Sequence, residues 1–187
     1  MISDHIKIHH IGDDWITDRK TLEHKVICNH KWATKINHKI STTQVFHPYP
    51  SYDHMLEPLR DIIKRFYPDT QRFQTWFLVQ NSESDRASTW HDHCNEYSPL
   101  DPKLKLLSSS PEKPPSISSV FYMTMPENCG GISFKIDEEE LTLYPKLGDL
   151  LFFPSWLVHK PLSNTHLNDP SQWRISININ LFLPKDL

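Results

Sequence analysis

The second half of the chain is a run of short apolar segments separated by turn residues, and no other feature limits the possible folds as tightly. From residue 118 onward six strand candidates follow at close spacing: Ser118 to Met125, Gly131 to Ile136, Leu141 to Tyr144, Asp149 to Phe153, Leu157 to Lys160 and Arg174 to Leu183. Short strands with tight connections predict an all-β sandwich or barrel. Three of the four glycines, Gly130, Gly131 and Gly148, fall at the turns, where positive φ is often needed. The acidic run Asp137 to Glu140 lies between two strand candidates and reads as a solvated turn.

The first half is less regular. Residues 1 to 50 show no sustained periodicity, and only Lys35 to Phe46 alternates enough to predict an edge strand. From Met55 to Phe66 the apolar residues Met55, Leu56, Leu59, Ile62, Ile63 and Phe66 fall three and four apart, which marks one face of a helix. Pro58 is expected in its first turn, and Pro68 ends it, because the residue before a proline is pushed out of the helical region. Thr75 to Val79 then reads as a strand. Residues 94 to 117 carry five prolines, five serines and no glycine, so neither a helix nor a central strand crosses them. A loop of that length directly after a pair of histidines reads as a substrate lid.

A length of 187 residues suits one domain with one core. No apolar run reaches the eighteen or so residues of a membrane span, and no basic segment followed by an apolar stretch opens the chain, so a soluble cytoplasmic protein is expected, with no membrane partner. Cys28, Cys94 and Cys129 form no C-x-x-C pair and read as reduced thiols, Cys94 as an inert one. A net charge of -3 with 20 basic residues spread along the chain offers no basic stripe, so nucleic acid is not an expected partner.

Among 12 histidines, three carry a pattern. His91 and His93 are two apart, so on an extended strand both face one side while Asp92 faces the other. His159 follows a strand and the turn Pro154-Ser155-Trp156, and a barrel can return it to the first two. Arg174 opens the last strand with Ser176 on the same face, and a guanidinium there suits a carboxylate. Facial sites of two histidines and one carboxylate are characteristic of non-haem iron(II) oxygenases, and this set is close to that. Singly, each residue has a plainer reading: surface histidines on a hairpin, a buried histidine bonded to a carbonyl, an arginine in an ion pair. The aromatics Trp76, Trp90, Phe121, Phe134, Phe152, Phe153 and Trp156 read mostly as core.

The stretches SSVFYMTM, GGISF, PKLGDLLFFPSWLVHKPLSN and RISININ run in the order of strand, glycine turn, distal-histidine strand and arginine strand. In this the segment from Ser118 to Leu183 resembles the core of the 2-oxoglutarate and iron(II)-dependent dioxygenases. It is similar both to prolyl hydroxylases and to phage and bacterial oxygenases, some of which share an H-x-H motif. The resemblance implies a mainly β fold, a double-stranded β-helix (jelly roll, cupin-like) over residues 74 to 187, with residues 1 to 70 as support. It implies Fe(II) held by His91, His93 and His159, and 2-oxoglutarate held by Arg174, with Ser176 beside it and Tyr122 matching a co-substrate tyrosine. Ascorbate would serve as reductant, and a peptidyl or small-molecule substrate would be hydroxylated with release of succinate and CO2. The family pattern has Asp or Glu where His93 stands; Asp92 and Glu96 are the other carboxylates at hand.

Two other readings remain open. H-x-H followed by Glu96, with Gly148, Pro154, His159 and Asn164, also resembles cupin motifs, whose three-histidine iron sites need no 2-oxoglutarate; Arg174 argues against it. A β-sandwich binding module without metal is the reading from outside enzymology. The nucleic-acid branch of the oxygenases has a second arginine six residues after the first, and that position is Asn180 here.

Overall fold

The computed structural model describes residues 1–36, 42–46, 50–80, 90–93, 115–127, 129–162 and 173–184. A short 3-10 helix, Ile2–His5, precedes β1 (Lys7–His10), α1 (Arg19–Ile36), β2 (Thr42–Phe46), α2 (Pro50–Phe66) and β3 (Arg72–Gln80). Then come β4 (Ile117–Thr124), β5 (Ile132–Ile136), β6 (Glu139–Leu143), β7 (Asp149–Pro154), β8 (Val158–Pro161) and β9 (Arg174–Phe182). All six strand candidates of the second half form strands. They and the first-half strands make two antiparallel sheets, one of order β1-β7-β4-β9-β3-β2 and one of order β6-β5-β8. These are the large and small sheets of a double-stranded β-helix, the expected fold class.

Strand alternation divides the core in two. On β9 the isoleucines 175, 177 and 179 with Leu181 point to one side; on β3 Phe77 and Val79 do, on β4 Phe121 and Met123, and on β7 Leu150 and Phe152. This side of the large sheet packs on Leu22 and Val26 of α1 and on Leu56, Leu59 and Ile63 of α2. The other side carries Val120, Tyr122, Leu151 and Phe153, which meet Ile132 and Phe134 of the small sheet and Leu157. Both faces of the central strands β7, β4 and β9 are covered, so these lack the exposed polar face of an ordinary antiparallel sheet.

Several expectations are corrected. The support region holds two helices: α1 fills residues assigned no periodicity, where Leu22 and Val26, one turn apart, are the fully buried apolar side chains of residues 19–28, and packing rather than pattern stabilises it. The predicted strand over Lys35–Phe46 is helix at Lys35 and Ile36 and strand at 42–46; β2 does lie on the sheet edge, where it pairs with β3. The second helix starts at Pro50, so Pro58 lies in its interior rather than its first turn. Burial of Leu56, Leu59 and Ile63 offsets the lost hydrogen bond there, a defect of about 3 kcal/mol in an unsupported helix. The acidic run is a turn only at Asp137 and Glu138, while Glu139 and Glu140 begin β6. Gly148 has positive φ but Gly131 does not; a Cβ on Gly131 would run into the Leu143 carbonyl oxygen. The proposed lid, with Cys94 and Glu96, lies outside the described residues except for its last three, and so does Asn164. No helix among the described residues is long and apolar enough to cross a membrane.

Candidate metal centre and anion pocket

His91 and His159 are brought face to face by backbone pairing. Each donates its N–H to the other's carbonyl, at 3.0 and 2.9 Å, as an isolated antiparallel bridge on the free edge of β8. Directly opposed residues of an antiparallel pair project from the same face, so both imidazoles enter the space between the sheets. His93, two residues on, is on that face too, its N–H donating to the Ser155 carbonyl at 2.9 Å. Ring centroids are 4.4 Å apart for His91 and His159, 5.0 Å for His93 and His159, and 5.5 Å for His91 and His93. One nitrogen from each ring lies within 4.8 Å of the others. Asp92 is not part of this cluster.

The outward nitrogens of His159 and His93 each have a partner. His159 Nδ1 lies 2.9 Å from the Leu157 carbonyl, which only accepts, so Nδ1 carries the proton and Nε2 keeps its lone pair. His93 Nδ1 lies 2.7 Å from Ser118 Oγ and 2.8 Å from Asn180 Oδ1. A ring nitrogen bonded to an outer-shell acceptor leaves the other free for a metal. The plain reading of His159, a buried histidine bonded to a carbonyl, thus holds together with the ligand reading. Burial, then the nearness of His91, pushes the pKa of His93 down to about 4 and that of His159 well below the usual histidine range. Both are neutral at physiological pH, the state a metal requires. Three imidazole nitrogens on one side of a cavity suit a divalent transition ion with positions left open.

The same cavity is lined by Trp76, Leu78, Val120, Tyr122, Arg174 and Ser176, among others, and no acidic residue lines it among the described residues. Arg174 is 2% exposed. Its Nη1 donates to the carbonyls of Gly130 and Gly131, the latter at 2.9 Å, and Nη2 to that of Leu162 at 3.1 Å, while Nε has no partner among the described residues. The double-glycine turn therefore brings two carbonyls onto a guanidinium. No carboxylate pairs with Arg174 among the described residues, and burial pulls its pKa down from the ordinary value. Burial also raises the pKa of Tyr122, keeping its phenol a neutral donor.

Every residue singled out from the sequence, His91, His93, His159, Arg174, Ser176 and Tyr122, lines this cavity. The sequence reading missed others. Trp76 lines it instead of serving only as core, its ring edge-on to His93 at 5.6 Å. Trp156, read as core, is exposed. Asn178 lines the cavity, and Asn180 and Ser118 hold His93 from behind. Gln80, fully buried opposite Arg174, has an amide oxygen without a partner. The signal for Asn178 and Asn180 was present: they continue the face of Arg174 and Ser176 at a spacing of two.

No family model and no curated protein matches the sequence. Solved structures do. A Pseudomonas putida prolyl-4-hydroxylase superposes with a TM-score of 0.57 at 13% identity, covering 96% of this chain and 93% of that one. The viral collagen prolyl hydroxylase from Paramecium Bursaria Chlorella virus-1, a 2OG complex, gives 0.54 at 14% identity, with 97% of each chain covered. The non-heme alpha ketoglutarate dependent carbocyclase SnoK from nogalamycin biosynthesis gives 0.59 at 13%, covering 96% of this chain and 81% of that one. At this identity the likeness is one of fold: the chain has the double-stranded β-helix that these enzymes share, almost end to end.

Proposed function

We propose that the chain is a 2-oxoglutarate- and iron(II)-dependent oxygenase that hydroxylates a peptidyl or small-molecule substrate and releases succinate and CO2. The observation that carries this reading is Arg174: a buried cation with no carboxylate partner among the described residues, in the same cavity as a cluster of three histidines. An isolated buried charge is costly, and an anionic ligand is what relieves it.

His91, His93 and His159 would hold iron(II), which when bound supplies the oxidative chemistry. Three neutral donors leave the ion its double charge, and Arg174 adds one more. A dianionic keto acid matches that field: the guanidinium takes the distal carboxylate, its Nε free for a further bond, and the phenol of Tyr122 and hydroxyl of Ser176 can donate to it. Trp76, Leu78, Val120 and Ile132 exclude water and strengthen each of these interactions. The prolyl hydroxylases among the structural neighbours favour a peptidyl substrate over a small molecule.

The test is iron(II)-dependent conversion of 2-oxoglutarate to succinate by anaerobically loaded protein, with ascorbate as reductant and no added substrate. Slow turnover that is lost in both His159→Ala and Arg174→Ala is the expected result. The donor set without a carboxylate also favours a second reading, a cupin-like three-histidine dioxygenase. Iron bound with 2-oxoglutarate ignored would select it.

A further inference from the structure

His93 stands where a carboxylate is expected, and what surrounds its outward nitrogen is a network that three strands and a turn contribute to. Ser118 of β4, Ser155 of the β7–β8 turn and Asn180 of β9 are 1%, 0% and 5% exposed. Ser118 Oγ donates to Asn180 Oδ1 at 2.9 Å and lies 2.9 Å from Ser155 Oγ. Asn180 Nδ2 donates to Gln74 Oε1 at 3.3 Å, which turns the Asn180 carbonyl toward His93. With a proton on His93 Nδ1, each member has a consistent role. The ring N–H is shared between Asn180 Oδ1 and Ser118 Oγ, the Ser118 hydroxyl donates to Asn180, and the Ser155 hydroxyl can donate to Ser118. With the proton on Nε2, the Nδ1 lone pair would face the Asn180 carbonyl lone pair at 2.8 Å. A buried acceptor left facing another acceptor is unsatisfied, which disfavours that tautomer.

We propose that Asn180, assisted by Ser118, is a positioning residue that holds His93 in the Nδ1-protonated form, so that Nε2 is the nitrogen offered to a metal. The inference rests on the oxygenase reading only for the identity of that metal. Its consequence is that position 93 is built for histidine. An aspartate there would bring only acceptors to the Asn180 carbonyl, so restoring the expected carboxylate works against the network.

The experiment uses the full chain, metal-free and labelled with nitrogen-15 in histidine. Long-range nitrogen–proton NMR correlations report the tautomer of each ring, and His93 is assigned by the signal that His93→Ala removes. The wild type is expected to show His93 protonated on Nδ1, Asn180→Leu to move the proton wholly or partly to Nε2, and Asn180→Asp to keep it on Nδ1. Cobalt(II) affinity, measured by chelator competition, should fall about 10- to 100-fold in Asn180→Leu and recover in Asn180→Asp. His93→Asp should bind at least as weakly as Asn180→Leu, and Asn180→Leu should add nothing in a His93→Ala background. An Nε2-protonated His93 in the wild type, an unmoved tautomer in Asn180→Leu, or full metal affinity in His93→Asp would each overturn the proposal. The wild-type tautomer decides even if Asn180→Leu does not fold, with Ser118→Ala as the second variant. A wild type with the expected tautomer that binds no divalent metal would instead sink the oxygenase reading and leave this one standing.

Discussion

The two faces of β9 are buried to nearly the same degree and are opposite in chemistry. Ile175, Ile177, Ile179 and Leu181 are no more than 1% exposed and pack toward the helices; Arg174, Ser176 and Asn180 are at most 5% exposed and face the small sheet. On the helix side, burial is favourable by transfer from water. On the inner side the same burial is unfavourable unless each polar group finds a partner, and there partners are built in for Asn180 but incompletely for Arg174. One strand thus separates an apolar core face from a polar cavity face at a period of two residues.

The sharpest way to break that separation is a large truncation on the helix side. Phe121→Ala removes a fully buried ring that meets Trp15 edge-on at 5.0 Å, and should cost about 3–5 kcal/mol in denaturant unfolding. Metal affinity of the fraction that remains folded should be unchanged. Next, Arg174→Met on the inner side should weaken 2-oxoglutarate binding by about 2–5 kcal/mol in calorimetry, the cost of removing one partner of a buried charged pair. Its thermal midpoint without ligand should move less than that of Phe121→Ala; an equal loss would make Arg174 a structural residue.

Acid should act on the inner face of the metal-free protein. The folded-state pKa values of His93 and His159 lie below the unfolded value, near 6.5, so the unfolded chain binds more protons. Stability is then full above about pH 6.5 and declines as pH falls toward 4. Urea midpoints across that range should show the decline, and His93→Ala and His159→Ala should each flatten it. The smallest effect is expected on the outer side of the small sheet. Lys160→Ala loses a 3.9 Å pair with Glu140 and a 4.2 Å contact over the Trp90 ring, together worth about 1 kcal/mol or less. Metal and keto-acid binding should not change.

Legibility followed the same division. The strands of the second half were readable because apolar residues recur between turn residues, whichever way the sheet faces. α2 was readable in its C-terminal part, where six apolar residues keep helical spacing, and not at Pro50, whose surroundings carry no apolar stripe. α1 was not readable because Leu22 and Val26, the buried apolar residues among 19–28, make too short a stripe to show a period. The histidine cluster could be anticipated from H-x-H plus a later histidine, since local geometry puts the first two on one face. The role of Asn180 could not, because its partners Ser118 and His93 are 62 and 87 residues away.

By itself the sequence determined which residues share a strand face, since that depends only on the backbone's period of two. It therefore determined that His91 goes with His93, and Arg174 with Ser176, Asn178 and Asn180. Only the tertiary structure decided which face is the interior, because that depends on where the helices cover the sheet. It also decided that His91 lies opposite His159, a pairing between segments 68 residues apart. That register, set by strand order and turn geometry, turns three separate histidines into one cluster in the cavity that the buried Arg174 also lines.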